Sequence, residues 1–168
     1  MINRYRFIFL TIIFFILIIL TFCYSAAAFE NLSSCMEQAS YEYHVPYWII
    51  YSVGKIESNL NPYALNIDGK SYFPPSFDDS LSIMAENRGK SIDIGIMQIN
   101  NYWFARLHYP LYYGLFPCFN IVLGAWIISR KIKRYGLNWY GVSAYHSTDV
   151  PLNAEYSEKL YGELGKIR

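Results

Sequence analysis

Val45-Pro46-Tyr47-Trp48-Ile49-Ile50-Tyr51-Ser52-Val53-Gly54-Lys55-Ile56-Glu57-Ser58-Asn59 carries an apolar stripe, Val45, Ile49, Val53 and Ile56, at intervals of four, four and three. That is the helical period, and Pro46 is tolerated because it falls in the first turn, where no intrahelical N–H bond is lost. Asn59, Asn61 and Pro62 then end the helix. Glu57 follows Val53 by four residues and Ile50 by seven, which sets its carboxyl beside the buried face and near the negative end of the helix dipole. Both surroundings disfavour the carboxylate. A carboxylic acid held protonated near neutral pH is what a general acid requires, so chemistry is expected here. Alone, the same pattern also describes a solvated glutamate in a last helical turn.

Two segments downstream tip that balance. Asp93-Ile94-Gly95-Ile96-Met97-Gln98-Ile99-Asn100 is an apolar run with a glycine that allows close backbone approach and two carboxamides suited to a polar ligand. Further on come Ala144-Tyr145-His146 and then Tyr156, in a predicted terminal helix. The ordered series Glu-Ser, Gly-Ile-Met-Gln-Ile-Asn, Ala-Tyr-His and Tyr resembles the catalytic motifs of the lytic transglycosylases, the family with a goose-type lysozyme-like domain. The likeness runs from about Cys35 to about Tyr161. It is strongest to the small enzymes that accompany type III and type IV secretion, conjugation and type IV pilus machines, where a Trp such as Trp103 follows the Asp93–Asn100 block.

The resemblance implies a mainly α, lysozyme-like helical domain with a small hairpin or loop insertion. It also implies a substrate, the glycan strands of peptidoglycan. Glycosidases usually employ two carboxylates, and here the second candidate is Asp93, for which the resemblance implies a structural role. Glu57 working alone would protonate the bond between N-acetylmuramic acid and N-acetylglucosamine, then take a proton from the muramyl C6 hydroxyl as that oxygen closes a 1,6-anhydro ring. Gln98 and the backbone at Met97 would hold N-acetyl or hydroxyl groups, Ser58 would brace the Glu57 turn, and Tyr145 and Tyr156 would position the acid. No cofactor is called for. The chain departs from the family at His146, where an Asn usually follows Ala-Tyr, and an imidazole, when protonated, cannot reproduce both the donor and the acceptor of an amide. Two other readings stay open: a muramidase that uses water, and a wall-binding assembly factor without catalysis.

The N-terminus places the domain outside the cytoplasm. Arg4 and Arg6 precede an unbroken apolar run from Phe7 to Phe22 and the small residues Ser25-Ala26-Ala27-Ala28, the anatomy of an export signal. Residues 1–28 are therefore read as a signal peptide and 29–168 as the transglycosylase domain, in the periplasm. Removing 28 of 168 residues leaves 140, one core's worth. An uncleaved anchor is the alternative, since Phe7 to Ala28 approaches the length of a membrane span, and only then is the membrane a partner. Phe22 is too large for the residue that precedes a lipidated cysteine, which argues against lipidation of Cys23.

Without Arg4 and Arg6 the 14 basic side chains become 12, against 13 acidic, so bulk charge gives no reason to expect nucleic acid as a partner. Arg130-Lys131-Lys133-Arg134 closes a helical stripe of Ile121, Ala125, Ile128, Ile132 and Tyr135 before Gly136, where cations complement the dipole and glycine caps. His44, His108 and His146 lack metal-ligand spacing. Cys35 and Cys118 form an even pair in an oxidising compartment and are expected to be joined, an expectation that the recurrence of such cysteines in the resembling enzymes supports.

Elsewhere the sequence predicts short helices. Ser34-Cys35-Met36-Glu37 has the capping-box form, opening a helix to Tyr43 with Met36, Ala39 and Tyr43 buried. Asp68-Gly69 marks a hairpin, Pro74-Pro75 and Asp78-Asp79-Ser80 mark turns, and Leu81 to Asn87 suits a short helix. Asn100 or Asn101, Asn120, Asn138 and Asn153 are read as caps of four further helices, ending near Leu107, Tyr135, Tyr145 and Leu164. Among the 17 Tyr and 4 Trp, the three expected beside a glycan groove are Trp103, Tyr145 and Tyr156.

Overall fold

A computed structural model describes residues 9, 10, 12–15, 18 and 32–166 of the chain. It divides into two units, Met1–Ser34 and Cys35–Arg168. In the first, the described residues 9 to 18 are helical, with Phe9, Leu10, Phe14 and Phe15 exposed. Cys23, the small residues 25–28 and the expected cleavage point lie outside the described residues. Among those described, no helix is long and apolar enough to cross a membrane.

The second unit is mainly helical, as its apolar spacing predicts. Residues 35–43 continue a helix (α1) that buries Met36 and Ala39. Ser34 does not cap it, because residues 32–34 are already helical. Helix α2 (Tyr47–Ser58) buries Ile49, Ile50 and Val53 completely and stops where Asn59 turns left-handed at φ 55°, the conformation that asparagine tolerates best after glycine. Ile56, expected in the buried stripe, is only half-buried.

A small antiparallel sheet follows, in the order β2-β1-β3-β4. Its hairpin, β1 (Leu65–Ile67) to β2 (Lys70–Tyr72), turns on Asp68 and Gly69, both at positive φ, the demand of a two-residue turn. β3 (Ile92–Ile94) pairs with β1 on one side and with β4 (Ile99–Asn100) on the other. Leu65, Ile67, Ile92, Ile94 and Ile99 face the core, so by the period of two Asn66, Asp93 and Asn100 face the other way. Between β2 and β3 lies α3 (Phe77–Glu86), longer than expected because Ser76 caps it by accepting from the Asp79 N–H.

Helix α4 (Asn101–Leu107) is capped by Asn100, and a 3-10 turn (Leu111–Leu115) leads to α5 (Pro117–Tyr135). α5 begins before Asn120, whose side chain is wholly buried and bonds elsewhere. The predicted cap is thus corrected: Pro117 opens the helix. At its far end the α5 cations do precede Gly136, whose N–H closes on Ile132 O at φ 89°. Asn138 caps α6 (Trp139–Ser143) as expected, although the helix ends before Tyr145. The last helix, α7 (Val150–Leu164), is capped by Asp149 and not by Asn153, which is buried and donates to Tyr140 O and Ser147 O. α2 packs on α5 and α7, and α6 on the same two. Cys35 and Cys118 are disulfide-bonded with Cα atoms 5.2 Å apart, closing a span of 83 residues. On the loop-entropy model such a closure contributes about 4.5 kcal/mol.

Candidate active site

The packing of α2 on α7 brings Glu57 against Tyr156. The Tyr156 hydroxyl donates to Glu57 Oε1 at 2.6 Å across 99 positions of sequence. Tyr156 is buried, and its flat face carries the ring of His146, with centroids 4.7 Å apart and planes 6° from parallel. Burial raises the Glu57 pKa from its ordinary 4.5 to about 7; the Tyr156 hydrogen bond opposes this, the Asp93 charge adds to it, and Lys159 opposes it. The sequence expectation of a reluctantly ionised Glu57 is met, with desolvation as the main cause.

Glu57 opens on a cleft of about 350 Å³ lined also by Asp93, Gln98, Asn100, Trp103, Tyr145 and His146, with the hairpin side chains Asn66 and Ser71 and the apolar Ile99 and Ile127. The pairing register explains the polar wall. Ser71 pairs with Asn66, Asn66 with Asp93, and Asp93 with Asn100, so one row of small polar side chains crosses the sheet. Asn100 Nδ2 donates to Asp93 Oδ1 at 2.8 Å. Burial raises the Asp93 pKa, and both this bond and His146 oppose the rise.

The turn Gly95–Gln98 joins β3 to β4 and brings Gln98 to the cleft. Its glycine holds φ 75°, and a Cβ there would come within 2.3 Å of Gly114 O. Asn120, buried in the first turn of α5, donates to Ile94 O at 2.8 Å and Gly114 O at 2.9 Å and accepts from Met97 N–H at 2.7 Å. Ser58 Oγ donates to Ile96 O at 2.8 Å. The Tyr145 hydroxyl donates to Met97 O at 2.6 Å. Gly54 on α2 and Gly124 on α5 let the turn press close, since a Cβ would meet Ile96 Cγ2 at 3.0 Å from the first and Met97 Cγ at 2.7 Å from the second.

The expected site residues thus separate into two groups. Glu57, Asp93, Gln98, Tyr145 and His146 line the cleft. Ser58, Met97 and Tyr156 do not: Met97 is fully buried with its N–H and carbonyl both engaged within the protein, so neither is available to a sugar, and Tyr156, expected beside the groove, is buried behind Glu57 and reaches the site only through that carboxyl. Gln98, at φ 44°, donates through Nε2 to Ala64 O and Gly95 O, so both amide hydrogens are spent within the protein and its amide oxygen is the group left to accept. His146, exposed, makes no ring hydrogen bond among the described residues and acts as a plate over Tyr156. Though exposed overall, the ring is desolvated on the face it stacks against Tyr156, and this partial burial and Lys159 lower its pKa, while Glu155 and Asp93 oppose the shift. Asn66, Ser71 and Asn120 are the participants that the sequence reading missed. Alternation in Leu65-Asn66-Ile67 and Ile92-Asp93-Ile94 was the available signal for the polar row.

Comparison with known proteins agrees with this constellation. The family model described as transglycosylase SLT domain matches residues 34–159. Invasion protein IagB of Salmonella typhi is 25% identical over 147 residues, covering 81% of this chain and 78% of that protein. Protein IpgF of Shigella sonnei is 25% identical over 137 residues, covering 77% and 78%.

Proposed function

This chain belongs to the SLT-domain family of lytic transglycosylases, and from that premise we propose that Glu57 alone cleaves the β-1,4 bond between N-acetylmuramic acid and N-acetylglucosamine. With a pKa of about 7, Glu57 is substantially protonated near neutrality. It gives its proton to the glycosidic oxygen as the bond from that oxygen to muramyl C1 breaks. The resulting carboxylate accepts the proton of the muramyl C6 hydroxyl while O6 bonds to C1. One strand leaves with a 1,6-anhydro end and the other with a free hydroxyl, and no water is consumed.

The observation that carries this reading is the Tyr156–Glu57 hydrogen bond at the edge of a cleft whose other carboxylate is tied down. A hydroxyl donor stabilises the carboxylate formed halfway through the reaction, and the surrounding burial restores the acid form afterwards. In this reading Gln98 Oε1, Asn66 and Ser71, which line the cleft, take N-acetyl and hydroxyl groups, and Trp103 meets a sugar ring with its flat face. Ser58, Asn120 and Tyr145 position the Gly95–Gln98 turn.

Mass analysis of the fragments released from purified peptidoglycan tests this directly. Anhydro-muramyl ends are expected. Reducing ends in their place would make the protein a muramidase, the reading that the presence of Asp93 in the same cleft favours. Cleavage that persists in Glu57→Gln would sink both. We further propose that residues 1–28 export the domain to the periplasm, where it opens the wall locally for a secretion, conjugation or pilus apparatus. The export-like leader, the disulfide and relatives named for invasion support that role. Deleting the gene should impair assembly of that apparatus, and restoring Glu57→Gln should not repair it.

A further inference from the structure

The cleft does not end at Trp103 and Ile127. Both side chains also line a second hollow, of about 410 Å³, whose remaining wall is Arg130, Lys131, Lys133, Arg134 and Tyr135 from the last turns of α5. Complementing the helix dipole accounts for Lys133 and Arg134 in the final turn but not for four cations around one concavity. Among the described residues the ion pairs lie elsewhere, Lys159–Glu155 and Lys166–Glu163, so none of the four is matched by a carboxylate. Two are held in place by aromatic faces: Arg130 lies 5.1 Å over Trp126 and Arg134 5.2 Å over Tyr135. A stacked guanidinium keeps its in-plane N–H groups for an acceptor. Lys131 is half-buried, and burial, with Arg134 beside it, lowers its pKa.

We propose that this basic hollow binds the carboxylates of the short peptide that the muramyl residues of a glycan strand carry. The inference rests on the transglycosylase reading of the cleft. The hollow shares two walls with that cleft, so the group that fills it is expected to be joined to the sugar held there. The N-acetylated sugars are neutral. The anionic part of the polymer is the peptide, attached through the lactyl ether of the same muramyl residue whose glycosidic oxygen Glu57 would protonate. Arginine forks match carboxylates two bonds at a time, and tethering raises the effective concentration of the peptide at the hollow. The site would therefore prefer strands that still bear their peptides, acting ahead of any amidase that strips them.

The test compares kcat/KM on soluble glycan strands with peptides against the same strands stripped by an amidase, for the intact domain. The wild type is expected to favour peptide-bearing strands. In the triple variant Lys131→Gln, Lys133→Gln, Arg134→Gln that preference should fall about tenfold, the scale of one or two charge-assisted hydrogen bonds, and its salt dependence should weaken, Arg130 being the cation left in that wall. The charge-conserving set Lys131→Arg, Lys133→Arg, Arg134→Lys should retain it. All three positions are exposed or half-exposed, and a melting curve matched to wild type confirms that each variant is folded. Equal cleavage of both strands by wild type, or a preference untouched by neutralisation, overturns the proposal while leaving the cleft's reading intact. Failure to cleave either strand removes that reading and this one together. A neutralised variant that keeps the preference but no longer binds vesicles of anionic phospholipid would assign the hollow to a membrane surface instead.

Discussion

The two elements that meet at the cleft are held in opposite ways. The turn Gly95–Gln98 is over-determined: Asn120, Ser58, Tyr145 and the Gln98 amide all bond its backbone, and two helix glycines admit it. Glu57 has one side-chain hydrogen bond and surroundings that disfavour its charge. A reacting group must change protonation state at little cost, whereas the frame that locates the substrate must not move. The structure spends hydrogen bonds on the frame and leaves the acid loosely satisfied.

Glu57→Gln should break this contrast most severely. Removing a general acid costs about 10²–10⁴-fold in kcat. Yet the same change should stabilise the protein at alkaline pH. The folded state raises the pKa of Glu57, so folding keeps a proton there that the unfolded chain loses. Stability from this group is complete below about 4.5, falls as pH rises and is gone above about 7. A neutral glutamine escapes that loss, so the variant should gain roughly 2–3 kcal/mol over wild type between pH 5 and pH 8. Thermal melts at the two pH values check it, and an equal difference at both would mean that the carboxyl is not desolvated.

Asn120→Ala attacks the frame instead. Three buried backbone groups would lose their partner, a cost of roughly 3 kcal/mol. Denaturant unfolding should show that loss at every pH, unlike the Glu57 effect. The pH at which activity falls should stay where it was, since Asn120 does not touch the acid. A loss below about 1 kcal/mol would mean that the turn holds itself.

Much of this was legible in the sequence, and what was not has physical reasons. Long apolar periodicity declared α2 and α5, and Asp68-Gly69 declared its hairpin because few other residues accept positive φ. The polar row escaped notice because strands of two or three residues hold too little alternation to be recognised. Asn120 and Asn153 read as caps because asparagine is favoured there, and nothing local reveals a partner found only after folding. For α7 the better signal was Asp149, two residues before Pro151, an acceptor followed by the proline that a first turn accommodates. The stacking of His146 on Tyr156 could not be foreseen, since a family asparagine at that position suggested hydrogen bonding.

Tyr156→Phe sharpens the comparison from the acid's side. The phenol hydrogen bond holds the Glu57 pKa below where burial alone would put it, so its removal should move the alkaline limb of the kcat profile to higher pH. The rate should fall about tenfold, the worth of one hydrogen bond to a charged group that forms during the reaction. The His146 plate remains seated on the Phe ring, so below about pH 4.5, where Glu57 is protonated folded or unfolded, stability should change little, while at alkaline pH it should fall. A limb that stays in place would detach Tyr156 from the chemistry.

The smallest expected effect decides most between mechanisms, because Asp93 stands on the boundary between frame and acid. It lines the cleft as Glu57 does, yet Asn100 binds its carboxylate as the frame's groups are bound. Asp93→Asn keeps an oxygen for the Asn100 amide and removes only the charge. That charge raises the Glu57 pKa, so the alkaline limb should move to lower pH. The rate at acidic pH should change by no more than about threefold, as for a partly screened interaction. If Asp93 instead activates water, the variant would lose as much as Glu57→Gln does, and the wild-type products would carry reducing ends. A frame residue shifts where the acid titrates, and a second reacting carboxylate abolishes the reaction, so one pH profile separates the two.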